Sequence, residues 1–212
     1  MTSISYAVTT HNEHRELADL IPFILNNMQL SDELVIIDDH SDHKTWEVFD
    51  KYIHNPNYNI NFVEHGFHGH FSMHKNFMND QCKGDWIFNI DADEKPHENL
   101  MTNIKDLIDA NPTVELFWVP RINTVEGLTS EQAMQWGWRL DDDGKVNWPD
   151  PQQRIYKNAK HIKWEKRVHE RLMGAKIDTM LPLKEEWSFY HHKKIDKQIA
   201  QNEKYAGILY GK

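Results

Sequence analysis

The first 120 residues alternate between short apolar runs and amphipathic stretches. Ile4 to Thr9 is apolar and β-branched and predicts a strand. Glu13 to Met28 carries Leu17, Leu20, Ile21, Ile24, Leu25 and Met28 at helical spacing. Pro22 falls inside it, as a bend or the mark of a late start. The continuous run Glu33 to Asp38 predicts a buried strand. Ser41-Asp42 predicts a helix cap before Trp46, Val48 and Phe49. Ile60 to Glu64 predicts a third strand, Phe71 to Cys82 a helix, and Trp86 to Ile90 a fourth strand. Pro96 to Ala110 predicts a helix closed by Asn111-Pro112, and Val114 to Val119 a fifth strand. Strands alternating with helices at this spacing predict βαβ units and an α/β fold with a mostly parallel sheet. In such sheets ligands bind beyond the carboxyl ends of the strands.

The pattern changes after Val119. Residues 120–150 are rich in Trp, Asp, Gly and Asn and have little periodicity. Gln153 to Tyr156 and His161 to Trp164 predict two short strands around the turn Lys157-Asn158-Ala159-Lys160. Trp187 to His191 predicts another. Ile195 to Leu209 predicts a closing helix with Ile199, Tyr205, Ile208 and Leu209 on its apolar face. No repeat, low-complexity segment or linker divides the chain, so one domain spans 1–212 and its carboxyl-terminal third covers the cleft.

Composition narrows the class. A 39% hydrophobic content supports a sizeable core, and eight Trp and nine Phe make it aromatic. Cys82 is the single cysteine, so no internal disulfide forms and nothing points to an oxidising compartment. Met1 to Tyr6 has no signal-peptide pattern, and no run approaches the roughly 20 apolar residues of a membrane span. The expectation is a soluble cytoplasmic protein. The net charge of −9 argues against a wholly basic nucleic-acid surface. It leaves two local basic stretches, from His161 to Arg171 and from His191 to Lys197, which read equally well as solvated faces.

Chemistry concentrates at three predicted strand ends. These are Thr9-Thr10-His11-Asn12-Glu13, Asp38-Asp39-His40-Ser41 and Asp91-Ala92-Asp93-Glu94. Alone, Asp91-Ala92-Asp93 reads as readily as a solvated turn. On one sheet edge, with the helix start His74-Lys75-Asn76, the three ends line a crevice. Carboxylates there accept from base N–H and ribose hydroxyls, Lys75 faces phosphate, and Asp93 holds Mn²⁺ or Mg²⁺ against a diphosphate.

Four segments carry a family resemblance: Val8 to Glu13, Val35 to Ser41, Met73 to Asn76, and Gly84 to Glu94. In order and spacing they resemble the successive signatures of family 2 glycosyltransferases with the GT-A fold, over about the first 120 residues. Gln152 to Asn158, Trp164 to Glu170, and Tyr190 to Lys193 followed by Asn202 to Tyr205 are similar to a subset acting on lipopolysaccharide cores and related small acceptors. The resemblance implies a nucleotide-sugar-binding half over 1–120 and an acceptor and catalytic half over 121–212. It implies that Thr9, Asn12 or Glu13, and Asp39 bind the nucleoside of the donor, that Lys75 meets base or diphosphate, and that Arg154 meets phosphate or acceptor. Asp91 would touch ribose or metal, Asp93 would ligate the metal, and His191 or His192 would add a second protein ligand. Asn89 departs from the pattern, which has an apolar residue there.

The implied activity is an inverting, metal-dependent transfer of a hexose or pentose to a hydroxyl. That hydroxyl belongs to a saccharide, a lipid-linked glycan or a modified base in DNA. Direct displacement needs a base opposite the leaving diphosphate. Glu170 is the candidate, with Asp150 and Asp141-Asp142-Asp143 as rivals, the latter closed by Gly144 as a turn would be. Trp138, Trp148 and Trp164 could stack on a sugar or base or belong to the core. A nucleotidyltransferase is the alternative, but Thr10-His11-Asn12 stands where its Gly-rich phosphate loop belongs. A catalytically silent nucleotide-sugar-binding module is the other.

Overall fold

The computed structural model describes residues 2–210, without the side chains of 204–206, 209 and 210. The predicted places of Tyr205 and Leu209 on the last helix's apolar face lie outside the described residues.

The amino-terminal half runs β1 (Ile4–Thr10), α1 (His14–Asn27), β2 (Glu33–Asp38), α2 (His43–Phe49), β3 (Ile60–Glu64), α3 (Phe71–Gln81), β4 (Trp86–Asp91), β5 (Lys95–Pro96), α4 (Glu98–Ala110) and β6 (Leu116–Val119). The remainder is β7 (Arg121–Glu126), α5 (Ser130–Gln135), β8 (Gln152–Lys157), β9 (Lys163–Glu165), β10 (Arg171–Met173), β11 (Asp178–Met180), a 3-10 turn at Glu185–Trp187, β12 (Phe189–Lys194) and α6 (Ile195–Tyr210). Seven strands form the main sheet in the order β11-β6-β8-β4-β1-β2-β3. Only β8 runs against the others.

Strand alternation divides the core between the two faces of the sheet. Tyr6, Val8, Leu34, Ile36, Phe88 and Ile90 pack with the apolar stripe of α1 and with Leu100 and Ile104 of α4. Ala7, Val35, Ile37 and Ile87 pack with Met78 of α3 and with Trp164 and Leu172 of β9 and β10. Pro22 lies inside α1, neither delaying its start nor ending it. Asp42 caps α2, its carboxylate accepting from Thr45 N at 3.0 Å. A Cβ at Gly84 would stand 2.6 Å from Ser5 N, so only glycine lets the turn before β4 lie against β1.

Three features of the carboxyl-terminal part are not read from the sequence pattern. β8 inserts between β4 and β6, so the fifth predicted strand does not neighbour the fourth. The two strands around Lys157–Lys160 do not pair: β8 joins the main sheet while β9 pairs with β10. Trp187 belongs to the 3-10 turn, and β12 begins at Phe189, held by β5 and β7. These elements are short and get their order from long-range pairing, which periodicity does not report.

Candidate active site

Register brings the polar strand ends level. Thr9 of β1 faces Asp91 of β4, and Thr10 faces Asp38 of β2. Beyond them lies a cleft with two lobes. The smaller, about 370 Å³, is lined by Thr9, Glu13, Asp39, Phe67, His74, Asp93 and Lys197. The larger, about 700 Å³, is lined by Trp118, Arg121, Trp138, Asp150, Arg171 and His191 among others. Lys75, Asp91, Glu170 and Lys193 line both.

Lys75 points inward from α3, and a buried ammonium needs anionic partners. Its Nζ lies 2.9 Å from Glu170 Oε1 and 3.4 Å from Asp91 Oδ1, and 4.6 Å over the Trp164 ring. Burial alone would lower its pKa, but Asp91 and Glu170 lift it above the ordinary lysine value. Glu170 sits in the loop between β9 and β10. Lys166 and His169 in that loop take φ of 75° and 55°, a left-handed conformation that the surroundings must enforce. Those surroundings are hydrogen bonds to α3 and its approach: Phe71 N donates to Arg167 O, Arg167 Nε to Gly69 O, and Asn76 Nδ2 to Trp164 O, while Trp164 N donates to Asn76 Oδ1.

Under Asp91 lies a buried ionic chain. Arg154 Nη2 donates to Asp91 Oδ2 at 2.7 Å and to Glu94 Oε1 at 2.6 Å, and Nη1 to Asn89 Oδ1 at 3.3 Å. Asn89, the departure from the family pattern, is thus a seat for Arg154. Arg121 Nη1 reaches the same Glu94 oxygen at 2.7 Å, and its Nε and Nη2 hold Asp150 Oδ2 at 2.9 and 2.7 Å. Burial pushes Asp91 up, but Arg154 and Lys75 outweigh it and hold its carboxyl well below the usual range.

Asp93 faces two ammonium groups and an imidazole. His191 Nε2, Lys193 Nζ and Lys197 Nζ lie 3.5, 3.4 and 3.6 Å from its Oδ2. Against the effect of burial, the His191 contact and the charges of His191, Lys193 and Lys197 hold Asp93 ionised far below its ordinary pKa. Glu13 is pushed up to about 7, by burial first and by the Asp93 charge second. Asp39 is fixed by Phe67 N donating to its Oδ1 at 2.9 Å.

The cleft therefore gathers Thr9, Glu13, Asp39, Lys75, Asp91, Asp93, Arg154, Glu170 and His191. It does not gather Asn12 or His192. Asn12 takes φ 59° and braces the turn after β2, accepting from Asp42 N at 2.6 Å and donating its own N–H to Ser41 Oγ. His192 faces the opposite side of β12 from His191, as alternation requires, and meets Thr124 Oγ1 at 2.8 Å in an exposed position. Arg154 lines the larger lobe from beneath Asp91 and is itself buried. Trp138 and Trp164 line the larger lobe and Trp148 does not. Asp141 accepts from Asp143 N and Lys145 N, so that run is a turn.

Sequence reasoning gave no individual role to Glu94, Arg121, Asn123, Lys193 or Lys197. Glu94 directly follows the acidic triplet, which was a signal. The lysines lie in a run whose composition equally describes a solvated face.

Asp93 and His191 bring a carboxylate and an imidazole to 3.5 Å of each other. Among the described residues no cluster of three or more His, Cys, Asp or Glu side chains forms a metal site by itself. Two protein ligands completed by diphosphate oxygens and water fit Mn²⁺ or Mg²⁺ at this place.

Residues 5–178 match the family described as Glycosyl transferase family 2, and the chain belongs to that family. The chain has the GT-A fold of solved structures it resembles. It is similar to S. aureus TarS 1-349 in complex with UDP, at TM-score 0.63 and 15% identity, over 91% of this chain and 60% of that one. The TarS 1-349 complex with UDP-GlcNAc is similar at TM-score 0.63 and 16% identity, over 91% and 59% of the two chains. The S. aureus TarS structure matches over 91% of this chain and 37% of its own, at TM-score 0.63 and 16% identity. The chain thus spans less than two thirds of these relatives' length. No curated protein sequence matches it.

Proposed function

We propose that this chain moves one sugar from a nucleotide-sugar to an acceptor hydroxyl, inverting the anomeric carbon. The observation that supports this best is the junction of the two lobes, where Glu170, Lys75 and Asp91 meet over a space open to both. A donor in the smaller lobe would lay its nucleoside along Thr9 and Asp39. Its diphosphate would lie toward Asp93, Lys193 and Lys197. Asp93 and His191 would hold Mn²⁺ or Mg²⁺, which when bound neutralises charge on the departing diphosphate. An acceptor in the larger lobe would bring its hydroxyl to Glu170. The acceptor oxygen forms the bond to the anomeric carbon as the bond to the diphosphate oxygen breaks, through an oxocarbenium-like transition state. The electron pair leaves with the diphosphate, and the hydroxyl proton passes to Glu170.

A saccharide acceptor suits the larger lobe better than DNA. Tryptophans and amides line much of it, while Lys75, Arg121 and Arg154 are already engaged by carboxylates. The overall charge of −9 points the same way.

A panel of nucleotide-sugars with Mn²⁺, scored by thermal shift, tests the donor site, because a ligand selective for the native state raises its melting temperature. UDP-sugars are the first to screen. We expect one donor to stabilise the protein more with Mn²⁺ than without, and the product made from it to carry the inverted anomeric configuration by NMR. No stabilisation by any donor, or a retained configuration, would overturn the assignment.

A further inference from the structure

We infer that Arg171 is a specificity-determining residue that selects an acidic saccharide, by meeting a carboxylate or phosphate carried beside the hydroxyl that comes to Glu170. The inference rests on the proposed reading of the larger lobe as the acceptor side.

Charge pairing in the larger lobe leaves one cation over. Five Lys and Arg side chains line it: Lys75, Arg121, Arg154, Arg171 and Lys193. Lys75 is taken by Glu170 and Asp91, Arg121 by Glu94 and Asp150, and Arg154 by Asp91 and Glu94. Lys193 lies 3.4 Å from Asp93. Arg171 pairs with no carboxylate among the described residues, not even with Glu165 opposite it in the β9–β10 ladder. The lobe's own carboxylates, Asp91, Asp150 and Glu170, are already engaged by Lys75, Arg121 and Arg154. An anion on the ligand is the partner this guanidinium lacks, and its planar fork matches carboxylate and phosphate alike.

The mount of Arg171 sets it apart from an ordinary solvated charge. It directly follows Glu170, so the two Cα atoms stand about 3.8 Å apart. A hydroxyl brought to Glu170 therefore puts its ring neighbours within reach of the guanidinium. Alternation buries Leu172 against Trp164 and leaves Arg171 on the opposite, exposed side of β10. Leu172 and Trp164 stand opposite each other, and a side-chain amide pins each backbone. Leu172 N donates to Gln153 Oε1 at 2.8 Å and Gln153 Nε2 to Leu172 O at 3.0 Å, as Asn76 does for Trp164. The short segment that carries both the candidate base and the free cation is thus held from β8 and from α3. Lys166 and Arg167, exposed in the same loop, form no ion pair with a carboxylate either. On a chain of net charge −9, such a local basic rim draws anions to this mouth.

Glucose, glucuronate and glucose 6-phosphate test this, titrated into the unsubstituted protein, Arg171→Gln and Arg171→Glu. Ligand-observed NMR gives the affinities. The Arg171 side-chain N–H signal, assigned by its absence from Arg171→Gln, reports the contact. Each titration is run without nucleotide and with UDP and Mg²⁺, which keep the phosphate arm out of the smaller lobe. We expect at least one of the two acids to bind about tenfold or more tighter than glucose and to move the Arg171 signal. Which of them does so tells carboxylate from phosphate. The preference should weaken with added salt, vanish in Arg171→Gln and reverse in Arg171→Glu, while glucose binds all three proteins alike. Acids that bind no tighter than glucose, or a preference that survives both substitutions, would overturn the inference. If no nucleotide-sugar stabilises the protein, the transfer reading fails, and this preference, measured without turnover, still stands or falls on its own.

Discussion

Lys75 and His74 sit side by side on the inward part of α3, and burial drives them to opposite solutions. Lys75 keeps its charge because Asp91 and Glu170 meet it. His74 gives up its charge: burial first, then the neighbouring His65, push its pKa down to about 4. Its ring Nδ1 lies 3.3 Å from His65 Nδ1, so two imidazoles share the space of one proton. A base whose folded pKa lies below its unfolded value stabilises the protein above the unfolded pKa and loses that contribution as pH falls. For His74 the window runs from 6.5 down to about 4. Urea midpoints at pH 7 and pH 5 should therefore differ less in His74→Phe than in the unsubstituted protein. An equal pH dependence in the two would rule out this burial as the cause. At this scale the sequence showed the residue types but not the pairings. The adjacent His191 and His192 look equivalent in the sequence, and only the facing of β12 separates them.

Glu170 owes its position to an element of marginal size. The strands β9 and β10 have three residues each, too few to fix a loop by themselves. Asn76 of α3 compensates, its amide closing two hydrogen bonds, of 2.8 and 2.9 Å, on the Trp164 backbone. Asn76→Ala leaves that buried backbone without partners and should lower stability by about 1–3 kcal/mol. It should also lower kcat while leaving donor affinity unchanged, since Asn76 is not a lining residue of the smaller lobe, where the donor is proposed to bind. Urea denaturation and donor titration check both parts, and a variant with weakened donor binding and intact kcat would contradict them. Asn76 stands beside Lys75 in the sequence, which makes it look like a ligand contact; its structural role appears only once β9 is docked on α3.

Across the whole molecule, legibility follows contact range. The amino-terminal half consists of βαβ units, whose strands and helices are long enough to declare their period and whose ligand edge follows from topology. Asp91-Ala92-Asp93 was readable there because its strand was. The remaining part is assembled from strands that cross back into the sheet, or into the small sheet of β5, β12 and β7, over large sequence distances. The ionic chain from Asp91 through Arg154, Glu94 and Arg121 to Asp150 spans both parts, so no single segment announces it. In the proposed reaction the first part would present the donor and the second the base, with Lys75 at the seam between the lobes.

That seam gives the most direct test. Glu170→Gln preserves shape and removes the proton acceptor. Transfer by the donor identified in the panel should fall about 10²–10⁴-fold while donor binding is retained. Transfer at a near-normal rate in that variant would show that Glu170 is not the base and would contradict the account at its centre.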